Sequence, residues 1–469
     1  MDVSYARWLV YLIVGVPALT WLFTTRNNTL RLLAVAGILI LVQEVFTSRR
    51  QFLGISVGPS VAFAYVALIG LYFQRGRFPS LGVQGVLWAG FLFSALIGLI
   101  LGSFGTGSLF RNILLFQEHY FEGAIFFLVG MMALDRDEEV NRFLYGFVVL
   151  ICGGVAVLHL VFLITGWHPA AAEQIVTRSA GDYTQFGGVI FLNPNTQADF
   201  YAMTLPMALL FFLGRRSSVP RRFLLGAILM AMTVSLLLQA ARGGLLATIV
   251  MAGIALLLSG EPLGRTVVAA VAGVFAIGGA ILAGIYILPE TFEAMFAHLS
   301  QEGLETERFW AWSGFLRMLA DHPFGIGLIP ENILATGGRY GTGTLANAHS
   351  IYLNIAVKTG ILGLIAFLAL VGSVVMRNWR VLRAAQDPET RQAALYLLLA
   401  LGGFLLAGTL EPIYTNGYKL NQLFWLLAGL SLATSQRALA TARQARIAIE
   451  FGESPTQQQA LSEHRPDHV

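Results

Sequence analysis

Leu304–Leu364 reads LETERFWAWSGFLRMLADHPFGIGLIPENILATGGRYGTGTLANAHSIYLNIAVKTGILGL. It is the longest interval in which charges, aromatics and turn residues occur together, and nearly everything around it is apolar. Phe309, Trp312, Leu316 and Leu319 recur at spacings of three and four, which predicts an amphipathic helix with one apolar stripe and with Arg308 and Arg317 off it. Thr306 is placed to cap that helix, and Pro323, two residues after Asp321, stops it. Gly325, Gly327, Gly337, Gly338, Gly341 and Gly343 follow, a run too flexible for a helix and suited to a loop over a cavity. His349 then stands just before a new apolar run, at the mouth of a helix and facing a loop that bears arginines.

Working outward, composition sets the class. Hydrophobic residues make up 56% of the 469 and charged residues 12%, against about 25% charged in ordinary soluble domains. With a mean hydropathy of +0.69, the chain reads as all-α and polytopic, with a loop domain of short amphipathic helices on the outer face. At about 20 residues per span, apolar segments fall at 8–23, 30–46, 56–73, 81–101, 112–134, 143–166, 197–213, 223–240, 243–259, 266–288, 350–375, 393–410 and 422–435. That leaves twelve or thirteen transmembrane helices, depending on whether the short first segment crosses or lies at the interface. The first segment lacks a small-x-small cleavage site and is expected to be retained.

Arg215, Arg216, Arg221 and Arg222 share one short loop and anchor it in the cytoplasm, as do Arg377, Arg380 and Arg383. Alternation puts Trp167–Thr196 and Pro289–Ser350 outside and the C-terminus inside; Arg49 and Arg50 then break the rule locally. These clusters orient a membrane protein and do not form a nucleic-acid surface. Cys152 is the only cysteine, which excludes intrachain disulfides and thiolate metal clusters. Four regions follow: amino-terminal spans over 1–190, a central region 191–375 with its outer loop 289–350, carboxy-terminal spans over 376–435, and a cytoplasmic helix with a polar tail over 436–469. His464 and His468 in that tail are expected to bind nothing.

Several residues carry candidate chemistry. Arg242, in QAARGGLLA, either snorkels to headgroups or faces an internal cavity, and Gly243 and Gly244 would let a ligand approach closely. Arg308 is either a solvated charge or a site residue sharing the outer face with His349. Arg339 lies in the same outer loop as a further cavity-lining candidate. Glu118, His119 and Glu122 open the fifth span, with the two glutamates on one helical face. They suit the wall of a polar cavity or a proton relay. Asn195, in Asn193-Pro194-Asn195, opens the seventh span as a cap. Asp135-Arg136-Asp137 has the form of a metal-holding DxD element, but alternation puts it across the membrane in a tight loop. No Walker loop, HExxH or GxSxG is present.

FLNPNTQADF, the AARGG turn and ERFWAW…HPFGIGLIPENI…NAHSIYLNIAVKTGILGL together resemble the O-antigen ligase family, which includes related O-antigen polymerases. The resemblance spans roughly Phe191–Leu370 and is most specific from Arg308 to Leu364. Ser350 departs from the Asn that commonly follows the histidine, and the outer loop is short.

The resemblance implies a multi-spanning GT-C type glycosyltransferase of the bacterial inner membrane with its active face in the periplasm. Such an enzyme moves a glycan from an undecaprenyl-diphosphate carrier to the hydroxyl of a lipid or glycan acceptor, with no cofactor and no metal. In those roles His349 is the base, since an imidazole titrates near neutrality. Arg242 and Arg308 hold the diphosphate through their planar forks. Two alternatives stay open: a flippase for a lipid-linked glycan that couples through Glu118, His119 and Glu122, and a scaffold of a polysaccharide-export complex. The choice between ligase and polymerase also stays open.

Overall fold

The computed structural model describes residues 27–42, 51–52, 55–56, 59–104, 109–165, 194–214, 218–239, 241–259, 278, 306–342, 345–411, 413–416 and 418–450. It is an all-α polytopic membrane protein. In hydrocarbon every backbone N–H and C=O must bond within its own segment, so the apolar runs become helices. Among the described residues six helices are long and apolar enough to cross a bilayer: Val83–Ser103, Leu109–Ala133, Asp137–Val161, Val219–Leu238, Ile351–Ala384 and Pro388–Ala407. Asn28–Leu41, Ser60–Arg75 and Arg242–Leu258 are shorter apolar helices on expected spans, and Pro194–Leu213 and Tyr418–Glu450 occupy two more. The expected span at 8–23 lies outside the described residues, as does that at 266–288 apart from Gly278. A two-residue hairpin, Gln51–Phe52 against Ile55–Ser56, is the sole sheet among the described residues.

In chain order we label the helices α1 (Asn28–Gly37), α2 (Pro59–Arg75), α3 (Val83–Ser103), α4 (Leu109–Ala133), α5 (Asp137–Thr165), α6 (Pro194–Leu213), α7 (Val219–Leu238), α8 (Arg242–Leu258), α9 (Thr306–Asp321), α10 (Pro330–Gly337), α11 (Ile351–Ala384), α12 (Pro388–Ala407), α13 (Ile413–Asn416) and α14 (Tyr418–Glu450). Two of them contain π turns, at Gln117–Phe121 in α4 and Phe147–Cys152 in α5. The bundle core is built by α14 on α4, α6 on α8 and α12, and α3 on α11. Lipid tails do not drive helices together, so close backbone approach must. Between α4 and α14 a Cβ on Gly130 would sit 2.1 Å from the Leu426 carbonyl oxygen, and one on Gly429 would sit 2.0 Å from that of Phe127. Large apolar side chains such as Phe73, Phe93, Phe223 and Leu257 point outward, as they must where lipid is the solvent.

Three expectations change. Arg377, Arg380 and Arg383 do not sit in a loop, because α11 runs on to Ala384; cations over its last turns suit the negative end of the helix dipole. The last span and the surface helix expected after it form one helix, α14, since no residue between Thr434 and Arg437 breaks it. The glycine-rich segment is not all loop: Pro330 starts α10, and a 3-10 turn, Gly338–Tyr340, follows it.

Candidate active site

The Leu304–Leu364 stretch builds its own small core. Ala311, Phe315 and Met318 of α9 bury against Ile333, Tyr340, Ala348 and Val357. This face is rotated from the expected stripe: Leu316 is exposed, as is Trp310, and Trp312 is half-buried. Large apolar residues stand on both the buried and the exposed side of the helix, Phe315 and Met318 on one and Trp310 and Leu316 on the other, so spacing alone did not select the side that packs. Trp312 turns its indole N–H to the Ala348 carbonyl at 2.8 Å. Arg317 donates to the Tyr340 carbonyl, and the Tyr340 hydroxyl donates to Asp321 at 2.7 Å. That bond to Asp321, with some burial, pushes the Tyr340 hydroxyl above its ordinary pKa.

The His322–Gly327 loop is interlocked with a break in α11. Gly360 has φ 78° and ψ 176°, outside any helix. On either side of it the loop takes over the helix's unmet backbone groups: Ile326 N–H donates to Val357 O, and Ile361 N–H donates to Pro323 O, both at 2.9 Å. A Cβ on Gly360 would lie 2.5 Å from the Pro323 oxygen. The residues after the break, Ile361–Ala384, extend about 36 Å at 1.5 Å per residue, enough for a bilayer. The residues before it carry the buried polar side chains Asn354, Lys358 and Thr359 and pack inside protein.

His349 sits at the head of that first half-helix. Its φ is 46°, and it is the sole non-glycine residue at positive φ among the described residues. Neighbours hold it there. The His349 N–H donates to Asn347 Oδ1 at 3.1 Å, and the preceding Ala348 N–H donates to the buried Asn354 Oδ1 at 2.8 Å. Left-handed backbone at a non-glycine residue costs about 1–3 kcal/mol and persists only where the surroundings over-determine it.

The turn after α12, Gly408–Glu411, is where the other candidates meet this element. Ile351 N–H donates to the Gly408 carbonyl at 2.8 Å. Arg242 is the first residue of α8 and half-buried; a Cβ on the adjacent Gly243 would be 3.5 Å from Leu410 Cβ and 4.0 Å from Glu411 Cγ. Asn195, in the first turn of α6, donates from Nδ2 to Glu411 Oε1 at 3.0 Å. Asn195 thus reaches this turn directly, while Arg242 and His349 stand one and two residues from backbone that packs on it. Glu411, buried at 6% exposure, was not anticipated; TLEPIY reads as the polar end of a span, and a glutamate before proline there resembles any helix terminus.

The remaining candidates are more dispersed. Arg308 lies in the first turn of α9, which packs on α11; its side chain is outside the described residues. Arg339 is exposed on the 3-10 turn, with its guanidinium 5.8 Å from the Tyr340 ring. Glu118 and His119 are buried in the π turn of α4, a local geometry common at functional positions. Glu122 is 1% exposed; it accepts from Gln117 Nε2 at 3.4 Å and from Gln422 Nε2, while Asn421 donates to the His119 carbonyl. Glu122–Gln422 and His119 O–Asn421 thus bridge α4 and α14. The start of α4 is tied to α10 by an Arg111–Glu331 ion pair of 2.6 Å.

The two carboxylates of the DxD element have protein partners. Asp135 pairs with Arg75 at 2.5 Å. Asp137 accepts from Arg437 and, at 2.7 Å, from the Thr390 hydroxyl. Both carboxylates are thus engaged in joining α2, α5, α12 and α14. Among the described residues no group of three or more His, Cys, Asp or Glu is placed to hold a metal ion.

No curated protein matches the chain. One family model, described as O-antigen ligase, matches residues 225–368, just under a third of the 469 residues. The matched stretch contains Arg242, Arg308, His349 and the interlock at Gly360; Asn195 precedes it and Glu411 follows it. Over that stretch, and over no more than that, the chain is similar to the O-antigen ligases.

Proposed function

We propose that the protein is a glycosyltransferase that moves a glycan from an undecaprenyl-diphosphate carrier to the hydroxyl of a lipid or glycan acceptor at the periplasmic face of a bacterial inner membrane. The observation that carries the reading is the left-handed His349, bonded through its N–H to Asn347 and two residues from Ile351, which joins the turn that Asn195 also reaches. In this reaction the acceptor oxygen attacks the anomeric carbon and its proton passes to His349. The bond from that carbon to the diphosphate breaks, and the diphosphate leaves with the electron pair. Arg242 and Arg308 stabilise that charge, since a guanidinium meets phosphate oxygens through two parallel N–H bonds.

The partial family match supports the same chemistry. So does the charge distribution: Arg221, Arg222, Arg377, Arg380, Arg383, Arg391 and Arg437 lie at the bundle end opposite His349. By the positive-inside rule this supports a cytoplasmic location for their end and a periplasmic one for His349. The four regions 1–190, 191–375, 376–435 and 436–469 are proposed as the working division of the chain. The transport alternative would couple through Glu118, His119 and Glu122; what favours transfer over transport is the partial family match.

The test is turnover of a defined carrier-linked glycan by purified protein in the presence of acceptor. Transfer with release of free undecaprenyl diphosphate, unchanged by EDTA, is expected. Movement of intact donor across a vesicle bilayer with no diphosphate released would overturn the reading, and activity lost in EDTA and restored by a divalent cation would refute metal independence.

A further inference from the structure

A second cavity lies at the opposite end of the bundle, with a volume of ≈ 650 Å³ between the starts of α5, α7 and α12 and the ends of α6 and α8. Among the described residues its charged lining is Arg142, Arg221, Arg391, Glu138 and Glu389, three cations against two anions. The anions are spoken for. Glu138 pairs with Arg142, and Glu389 accepts from Asn141 Nδ2 at 2.7 Å. Arg221 and Arg391 make no ion pair among the described residues.

Arg221 is also pre-positioned. Its guanidinium lies over the Tyr145 ring, 3.8 Å from the centroid, which holds the plane while leaving its N–H edge open. Its buried Nε has no acceptor among the described residues, and a buried donor left so costs about 1–3 kcal/mol. Arg221 stands in the first turn of α7, where the helix dipole disfavours a cation and favours an anion beside it.

The rest of the lining is mixed: Asn141, Ser259, Gln386 and Gln392 add neutral polar groups, and one part of the wall is apolar. Leu210, Phe211, Leu258 and Leu395 line it, and Phe223 (77% exposed) and Leu257 (84% exposed), each within two residues of the lining, point away from protein. An anion-binding corner continuous with lipid-facing side chains suits an amphiphile better than a free ion.

We propose that this cavity binds the phosphate headgroup of an anionic membrane phospholipid, with Arg221 and Arg391 on the phosphate and the acyl chains along the apolar wall. A singly charged phosphodiester matches three cations set against two anions among the described residues. Basic pockets between spans on the cytoplasmic side are the usual setting for such lipids. The inference does not depend on the glycosyltransferase reading: an inactive protein would leave it intact.

The experiment uses the full chain, delipidated in detergent, with thermal unfolding followed on adding phosphatidylglycerol, phosphatidylcholine or inorganic phosphate. Phosphatidylglycerol should raise the midpoint by about 5 °C, with little effect from the other two. The shift should vanish in Arg221→Gln/Arg391→Gln and persist in Arg383→Gln, an exposed arginine outside the cavity. Equal stabilisation by phosphatidylcholine would overturn the proposal as a bulk lipid effect. An equal shift with inorganic phosphate alone would replace the lipid with a free anion. Native mass spectrometry of the unsubstituted protein gives a readout that does not require the double variant to fold: preferential retention of phosphatidylglycerol supports the site, and retention without headgroup preference refutes it.

Discussion

Asn195 Nδ2 and Glu411 Oε1 meet at 3.0 Å across 216 residues of chain, joining the first turn of α6 to the turn that also receives Ile351 from the His349 element. A buried carboxylate is tolerated only with partners that satisfy it. The pair should therefore couple energetically. In a double-mutant cycle with Asn195→Ala and Glu411→Gln, followed by thermal unfolding in detergent, the coupling should be about 0.5–2 kcal/mol. Strictly additive effects would make the contact incidental.

Gly360 should tolerate no side chain. Gly360→Ala places a Cβ 2.5 Å from the Pro323 oxygen at a φ of 78°, so the cost should be about 1–3 kcal/mol or more, seen as a lowered midpoint and increased proteolysis within residues 322–327. The matched control is Gly372→Ala on the same helix, where a Cβ meets nothing within 4 Å. That change should be neutral or stabilise by up to about 1 kcal/mol. Equal behaviour of the two variants would remove the interlock as a structural requirement.

The spans were legible because lipid leaves the backbone few choices. The expected segments 81–101 and 112–134 became Val83–Ser103 and Leu109–Ala133 with small shifts at the ends. The outer-face details were less legible, each for a definable reason. Which side of α9 packs depended on whether Phe315 and Met318 or Leu316 found a partner, and that partner, Tyr340, lies beyond a glycine run. Gly325 and Gly360 could each be read as flexible, but their purpose is mutual: the loop supplies Ile326 N–H and Pro323 O to the broken helix, a pairing that periodicity does not encode. Glu411 lay outside the stretch that resembled a family, so nothing directed attention to it.

The proposed sidedness rests on the arginines and can be tested with single cysteines after replacing Cys152. Gly338→Cys and Gln386→Cys are both exposed positions at opposite ends of the bundle. An impermeant maleimide added to intact cells should label the first alone, and both after permeabilisation. Labelling of Gln386→Cys in intact cells would invert the topology and move the proposed site to the cytoplasm.

Arg242 should not be replaceable by lysine. Gly243 beside it packs on Leu410 and Glu411, which fixes where the side chain starts, and a point charge on a flexible stem cannot reproduce a bidentate fork. Arg242→Lys should lower the transfer rate by roughly 10²–10³-fold, the usual loss of one positioned donor to developing charge, with membrane levels unchanged. Arg308→Lys should behave alike if both cations act on the diphosphate. Near-normal transfer by both would leave them as headgroup anchors.

His349 offers the sharpest test, because its backbone and its side chain make separable predictions. The backbone is left-handed, which Asn tolerates better than most residues and glycine adopts freely. If the strain is maintained for the sake of the imidazole, its removal should stabilise the protein while abolishing its reaction. His349→Gly should raise the unfolding midpoint or leave it unchanged, and His349→Asn should leave it near the original value. Both should lose transfer by roughly 10²–10⁴-fold, the range for a positioned base, while still binding lipid-linked donor through the arginines. His349→Ala, which keeps the strain and loses the base, should be as inactive and no more stable. The decisive comparison is stability against rate across the three variants. A variant within a few-fold of the original rate would exclude His349 as the base. Destabilisation by His349→Gly would show instead that the imidazole holds the turn in place and that the left-handed conformation is a by-product of packing.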